Sequence, residues 1–179
     1  MKTINDIKDE REWNALSFHY QEGLTEKLDS LERPFDQNTL NEIVLWKTNR
    51  YSKIEGETLT LLNTIDIEAK ELEKELTMKI LRNLLDKKQK GVGLPMASTF
   101  LRFKNKNIYQ IIDQRSYRFL YGIDLKLKSN IESQIELYLY YLVKIRIRCD
   151  ELNIPFENAD RIFYLLDKDL NKDVKLRGY

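Results

Sequence analysis

The sequence predicts an all-α fold, with roughly seven or eight helices around one core. Three observations point to it. Three prolines and six glycines in 179 residues leave few breaks. Apolar residues recur at three- and four-residue steps over most of the chain, the period of a helix face. Lys144-Ile-Arg-Ile-Arg alternates like a strand but lies within a helical period of more than 20 residues.

Residues 6–30 read as a first helix with a weak pattern. Asn38 is placed to cap a second helix, with Glu42 in its early turns and Leu40, Ile43 and Val44 on its apolar face. A short helix is expected near Glu57–Leu62. The stretch IEAKELEKELTMKILRNLLDKKQ, residues 67–89, reads as one long amphipathic helix, its core stripe Leu72, Leu76, Ile80, Leu84 and Leu85. Lys87, Lys88 and Lys90 follow at its C-terminal end, where cations suit the dipole, and Gly91 stops it.

The next helix opens at Leu94-Pro95, since proline is tolerated in a first turn. It ends at Asn105-Lys-Asn. Asp113 can cap a helix over 114–121. Over 130–152, Ile131, Ile135, Tyr138, Leu142, Ile145, Cys149 and Leu152 keep helical spacing for more than 20 residues. That length decides for helix over strand. Asn158 or Asp160 can cap a last helix running to Leu170, and the final nine residues read as a tail. The whole of 1–179 reads as a single all-helical domain with room for two lobes and a cleft.

Composition excludes several chemistries. Cys149 is the sole cysteine and His19 the sole histidine. An internal disulfide, a four-cysteine cluster, a cysteine zinc site and a multi-histidine metal centre are therefore impossible within one chain. No metal is expected on side chains. His19 has no nucleophile motif beside it and reads as a surface or packing residue. No run of 18 apolar residues is present, so no membrane partner is expected. The N-terminus lacks the apolar core of a secretory signal, which favours the cytoplasm.

Charge is unevenly distributed. The net charge is +1 overall, but residues 90–128 carry eight Lys/Arg against Asp113 and Asp124. A local basic patch on a near-neutral chain points to a polyanionic partner, or else to a solvated face. It coincides with Lys90-Gly91-Val92-Gly93, expected as a tight turn between two helices. Glycine there lets the backbone turn sharply and a ligand approach closely, and free amides at the next helix start suit a phosphate.

Gly91-Val92-Gly93, Ala97 and Ile112-Asp113, with 22 positions from Gly91 to Asp113, resemble the helix-hairpin-helix DNA glycosylase superfamily, in its endonuclease III-like form. There the pattern is Gly-Val-Gly-x-x-x-Ala, then Val-Asp opening a helix. The close match covers about 30 residues, within a hairpin-and-aspartate segment of about 68–121. The resemblance implies duplex DNA as partner and Asp113 as the catalytic carboxylate. It implies backbone contacts from Lys90, Gly91, Val92, Gly93, Arg102, Lys104, Arg115 and Arg118, with Lys106 nearby. A rough alignment places Asn49, beside Arg50, where the family fills the gap left by an extruded base. Trp46, Tyr51 and Tyr109 would be stacking surfaces. No cofactor is implied beyond a monovalent cation at the hairpin backbone. No protein partner is implied.

Each of these residues also has a plain structural reading. Asp113 is a routine N-cap, the aromatics are core residues, and Arg115 and Arg118 can pair with local carboxylates. Two departures narrow the chemistry. Pro95 occupies the position of the Schiff-base lysine, so the activity implied is hydrolytic and monofunctional. The iron–sulfur cysteines are missing. A non-catalytic DNA-binding relative and an all-helical protein-interaction domain stand as alternatives.

Overall fold

The computed structural model describes residues 20–32, 34–50 and 52–176. Among them are eight α-helices: α1 Glu22–Asp29, α2 Gln37–Lys47, α3 Gly56–Leu62, α4 Lys74–Leu85, α5 Leu94–Lys104, α6 Gln114–Tyr121, α7 Ile131–Leu152 and α8 Ala159–Leu170. A 3₁₀ turn, Phe156–Asn158, precedes α8. The only β pairing among the described residues is an isolated bridge between Lys53 and Lys90. The fold is all-α. No helix among the described residues is long and apolar enough to cross a membrane. His19, Tyr51 and residues 6–19 of the expected first helix lie outside the described residues.

The chain divides into two compact units, Met1–Tyr51 and Ser52–Tyr179. In the first, α1 packs on α2. Asp36, not Asn38, caps α2: its Oδ1 accepts from the Thr39 amide at 2.7 Å and the Thr39 hydroxyl at 2.8 Å. Trp46 ties the two helices together. Its indole donates to Thr25 Oγ1 at 2.8 Å and its ring meets Tyr20 edge-on.

The second unit holds the main core, formed by α4, α5, α7, α8 and the segment 108–112. The central helix α7 spans 22 residues. Ile135, Tyr138, Tyr141, Leu142, Ile145 and Cys149 are its buried stripe, so helical period prevails over the local alternation at 144–148. Asn130 caps its start through the Ser133 amide, and Asn153 ends it in the left-handed region at φ 55°.

The helix expected over 67–89 is shorter at both ends. At the N-terminal side, buried Asn105 donates from Nδ2 to the Asp66 and Ala69 carbonyls, fixing 66–69 as a turn. At the other end Asp86 is extended, and its carboxylate accepts from the Lys88 amide in an Asx turn. Helices α4 and α5 are therefore joined by a loop over 86–93, not by a tight glycine hairpin.

Candidate functional site

After a turn at 106–108, the segment 109–113 runs along the core without helix or sheet pairing. Its buried amides and carbonyls must find other partners, because an unpaired one costs about 1–3 kcal/mol. Side chains from three helices provide them. Ser98 Oγ of α5 accepts from the Ile112 amide at 3.1 Å. Tyr138 and Tyr141 of α7 donate their hydroxyls to the Gln110 and Ile111 carbonyls at 2.9 and 2.8 Å. Asp160 of α8 accepts from the Ile111 amide at 3.1 Å, while its own amide donates to Gln110 Oε1 at 3.0 Å. Burial raises both tyrosine hydroxyls well above their ordinary pKa, so they remain neutral donors. The segment is thus tied to three helices, and Asp113 stands at its end.

Asp113 opens α6 with a capping box. Its Oδ1 accepts from the Ser116 amide at 2.7 Å, and Ser116 Oγ accepts from the Asp113 amide at 3.1 Å. The cap occupies Oδ1. The half-buried Asp113 also lines an open cleft of about 570 Å³ with Arg115, Tyr164, Lys172, Val174, Lys175 and Leu176. One carboxylate thus shares the cleft with three cationic side chains. The expected C-terminal tail is a wall of this cleft through residue 176. It is held there by Arg118, which donates from Nη1 to the Val174 carbonyl at 3.1 Å.

Two of the arginines expected on DNA phosphates are buried instead. Arg102 is 6% exposed; it donates to the Glu157 carbonyl at 2.8 Å and faces Asp160 at 3.4 Å. Arg118 is 7% exposed and makes a two-bond pair with Asp167, at 2.8 and 2.7 Å. Their carboxylate partners lie on α8, far along the chain, and a guanidinium entering the core must take such a partner. Arg115 is half-buried, bonded to Asp167 at 3.2 Å and set over the Tyr164 ring. Lys104 donates to Asn63 Oδ1 at 3.0 Å.

Tyr109, expected as a stacking surface, is 1% exposed, with its hydroxyl 2.8 Å from Thr77 Oγ1. It is a core residue. Trp46, Asn49 and Arg50 belong to the first unit. Asn49 and Arg50 are exposed there, Asn49 at φ 53° with its Oδ1 accepting from Gln21 Nε2. Trp46 packs as described above.

The glycine loop is basic and open. Lys90, Gly91 and Gly93 are exposed, and Val92 turns towards the core. Gly91 has φ 73°, a left-handed conformation that favours glycine. Gly93 is the N-cap residue of α5. The Gly91 carbonyl accepts from the Ser52 hydroxyl at 3.3 Å. Buried Gln89 anchors the loop, accepting from the Glu55 amide and donating to Thr58 Oγ1. The bridge to Lys90 brings exposed Lys53 alongside. Lys53 carries no sequence signal for this, because its partner lies outside any local period. With no family model matching the chain, and no similar curated protein or solved structure found, the site rests on this geometry and on the spacing of its residues.

Proposed function

We propose that the chain is a monofunctional DNA N-glycosylase, acting on a damaged base through Asp113. The observation that carries this reading is the placement of Asp113: a carboxylate fixed by a capping box at the end of a segment hydrogen-bonded to three helices, at the wall of a cleft with Arg115, Lys172 and Lys175. Cleavage of a base–deoxyribose bond develops positive charge on the sugar, and a fixed carboxylate stabilises that charge and orients a water. Oδ1 is held by the helix cap, which leaves Oδ2 for the water. Lys172 and Lys175 suit the phosphates flanking the reacting sugar. Lys53 and Lys90, beside the exposed glycines, suit a second stretch of backbone. Arg102 and Arg118 have no part in this reading, since each is engaged inside the core. Pro95 offers no amine, so water is the nucleophile.

The test is incubation with duplexes that each carry one damaged base, followed by alkali, together with a binding titration against salt. Strand breaks at one lesion, and a log–log salt slope steepened by about one unit per phosphate contacted, are expected. Steep salt dependence without breaks at any lesion would support the non-catalytic DNA-binding alternative. Absence of DNA binding would overturn both.

A further inference from the structure

Helix α6 carries two tyrosines one turn apart, Tyr117 and Tyr121, with ring centroids 4.4 Å apart. The Tyr121 ring lies 6.3 Å from that of Tyr140 on α7, the two planes within 25°. The three rings border a groove of about 360 Å³, whose charged wall residues are Lys126, Lys128 and Glu136. Tyr117 and Tyr121 pack partly against the core, but core packing does not account for Tyr140, which is 63% exposed, or for the two exposed lysines beside it. The Tyr121 hydroxyl is buried and has no hydrogen-bond partner among the described residues. Burial, then the neighbouring Tyr117 and Tyr140 phenols, raise its pKa, which keeps it a neutral donor. A groove that also borders Tyr117 and Lys126 leads on to Val174 and Lys175, which line the Asp113 cleft as well.

Flat rings and two ammonium groups match the parts of a nucleotide. Bases stack on aromatic faces whatever their sequence, and lysines take the flanking phosphates. We propose that the Tyr117–Tyr121–Tyr140 groove binds an unpaired base of single-stranded DNA, stacked on Tyr140, with Lys126 and Lys128 on the adjoining phosphates. The proposal rests on the DNA-binding part of the reading above and is independent of hydrolysis by Asp113. Two lysines against Glu136 leave the groove net positive, as a strand requires.

The test is binding of labelled oligothymidylate of about twelve nucleotides, with oligouridylate as a second probe and lesion-bearing duplex as a third. Tyr140→Ala should weaken oligothymidylate binding about tenfold, and Tyr140→Phe, which keeps the ring, should restore it. Changing Lys126 and Lys128 together to Gln should reduce the log–log salt slope by about 1.4. The inference falls if oligothymidylate does not bind, or if Tyr140→Ala binds it like wild type. Tighter binding of oligouridylate than of oligothymidylate would overturn it in favour of RNA. If no lesion is cleaved while oligothymidylate binding still depends on Tyr140, the glycosylase reading fails and this one stands. If lesions are cleaved while Tyr140→Ala leaves oligothymidylate binding unchanged, the reverse holds.

Discussion

Arg118 and Asp167 join α6 to α8 in a two-bond ion pair, Nε to Oδ1 at 2.8 Å and Nη2 to Oδ2 at 2.7 Å. The carboxylate also accepts from Arg115 and from Asn171 Nδ2. Removing it strands a buried guanidinium, so Asp167→Ala should cost about 3–5 kcal/mol, read from urea denaturation. Replacing Arg118 and Asp167 together by apolar residues should recover part of that loss. A cost below about 1 kcal/mol for Asp167→Ala would show that the pair contributes little.

The same carboxyl sets an acid limit. Burial alone would push its pKa up, but hydrogen bonds from Arg118 and Asn171, with Arg118's charge, bring it below the usual value. The folded value is lower than the unfolded value of about 3.9. The stabilisation is therefore complete above the unfolded value and is lost as pH falls through the folded one. Urea midpoints should decline below about pH 4, and the decline should be shallower in Asp167→Asn. An equal decline in both proteins would assign the acid limit to other groups.

Cys149 is 1% exposed on the buried stripe of α7. Burial first, then the charge of Asp150, push its thiol up to about 11. Since the thiolate is the reactive form, Ellman's reagent should label the native protein at pH 8 at least about a hundredfold more slowly than the unfolded protein. Equal rates would mean that α7 opens readily.

Much of the helical framework was legible because its signals are local. Asp113 and Ser116 stand at the spacing of a capping box, and α6 runs over 114–121 as read. The stripe from Ile135 to Cys149 settled α7 against the alternation at 144–148. What was not legible depends on distant partners. The start of α4 is shifted by the Asn105 side chain bonding to carbonyls of a different loop. Arg102 looks like a surface cation until Asp160 is brought to it by α8, and the carboxylate that pairs with Arg118 is the distant Asp167, not a local one. In the candidate site, the cap role of Asp113 was readable, but its cleft was not. Lys172 and Lys175 belong to a stretch that looks like a tail, and it is the bonds of Arg118 to Val174 and of Asn171 to Asp167 that hold it there.

The most direct measurement is base release by Asp113→Asn beside wild type, on whichever lesion duplex wild type cleaves. Asparagine is also a good N-cap, so the helix start at Ser116 should hold and the urea midpoint should stay close to that of wild type. The account predicts unchanged duplex affinity and a loss of cleavage of at least about a hundredfold. Cleavage by Asp113→Asn at the wild-type rate would contradict it, and would leave Asp113 as a helix cap alone.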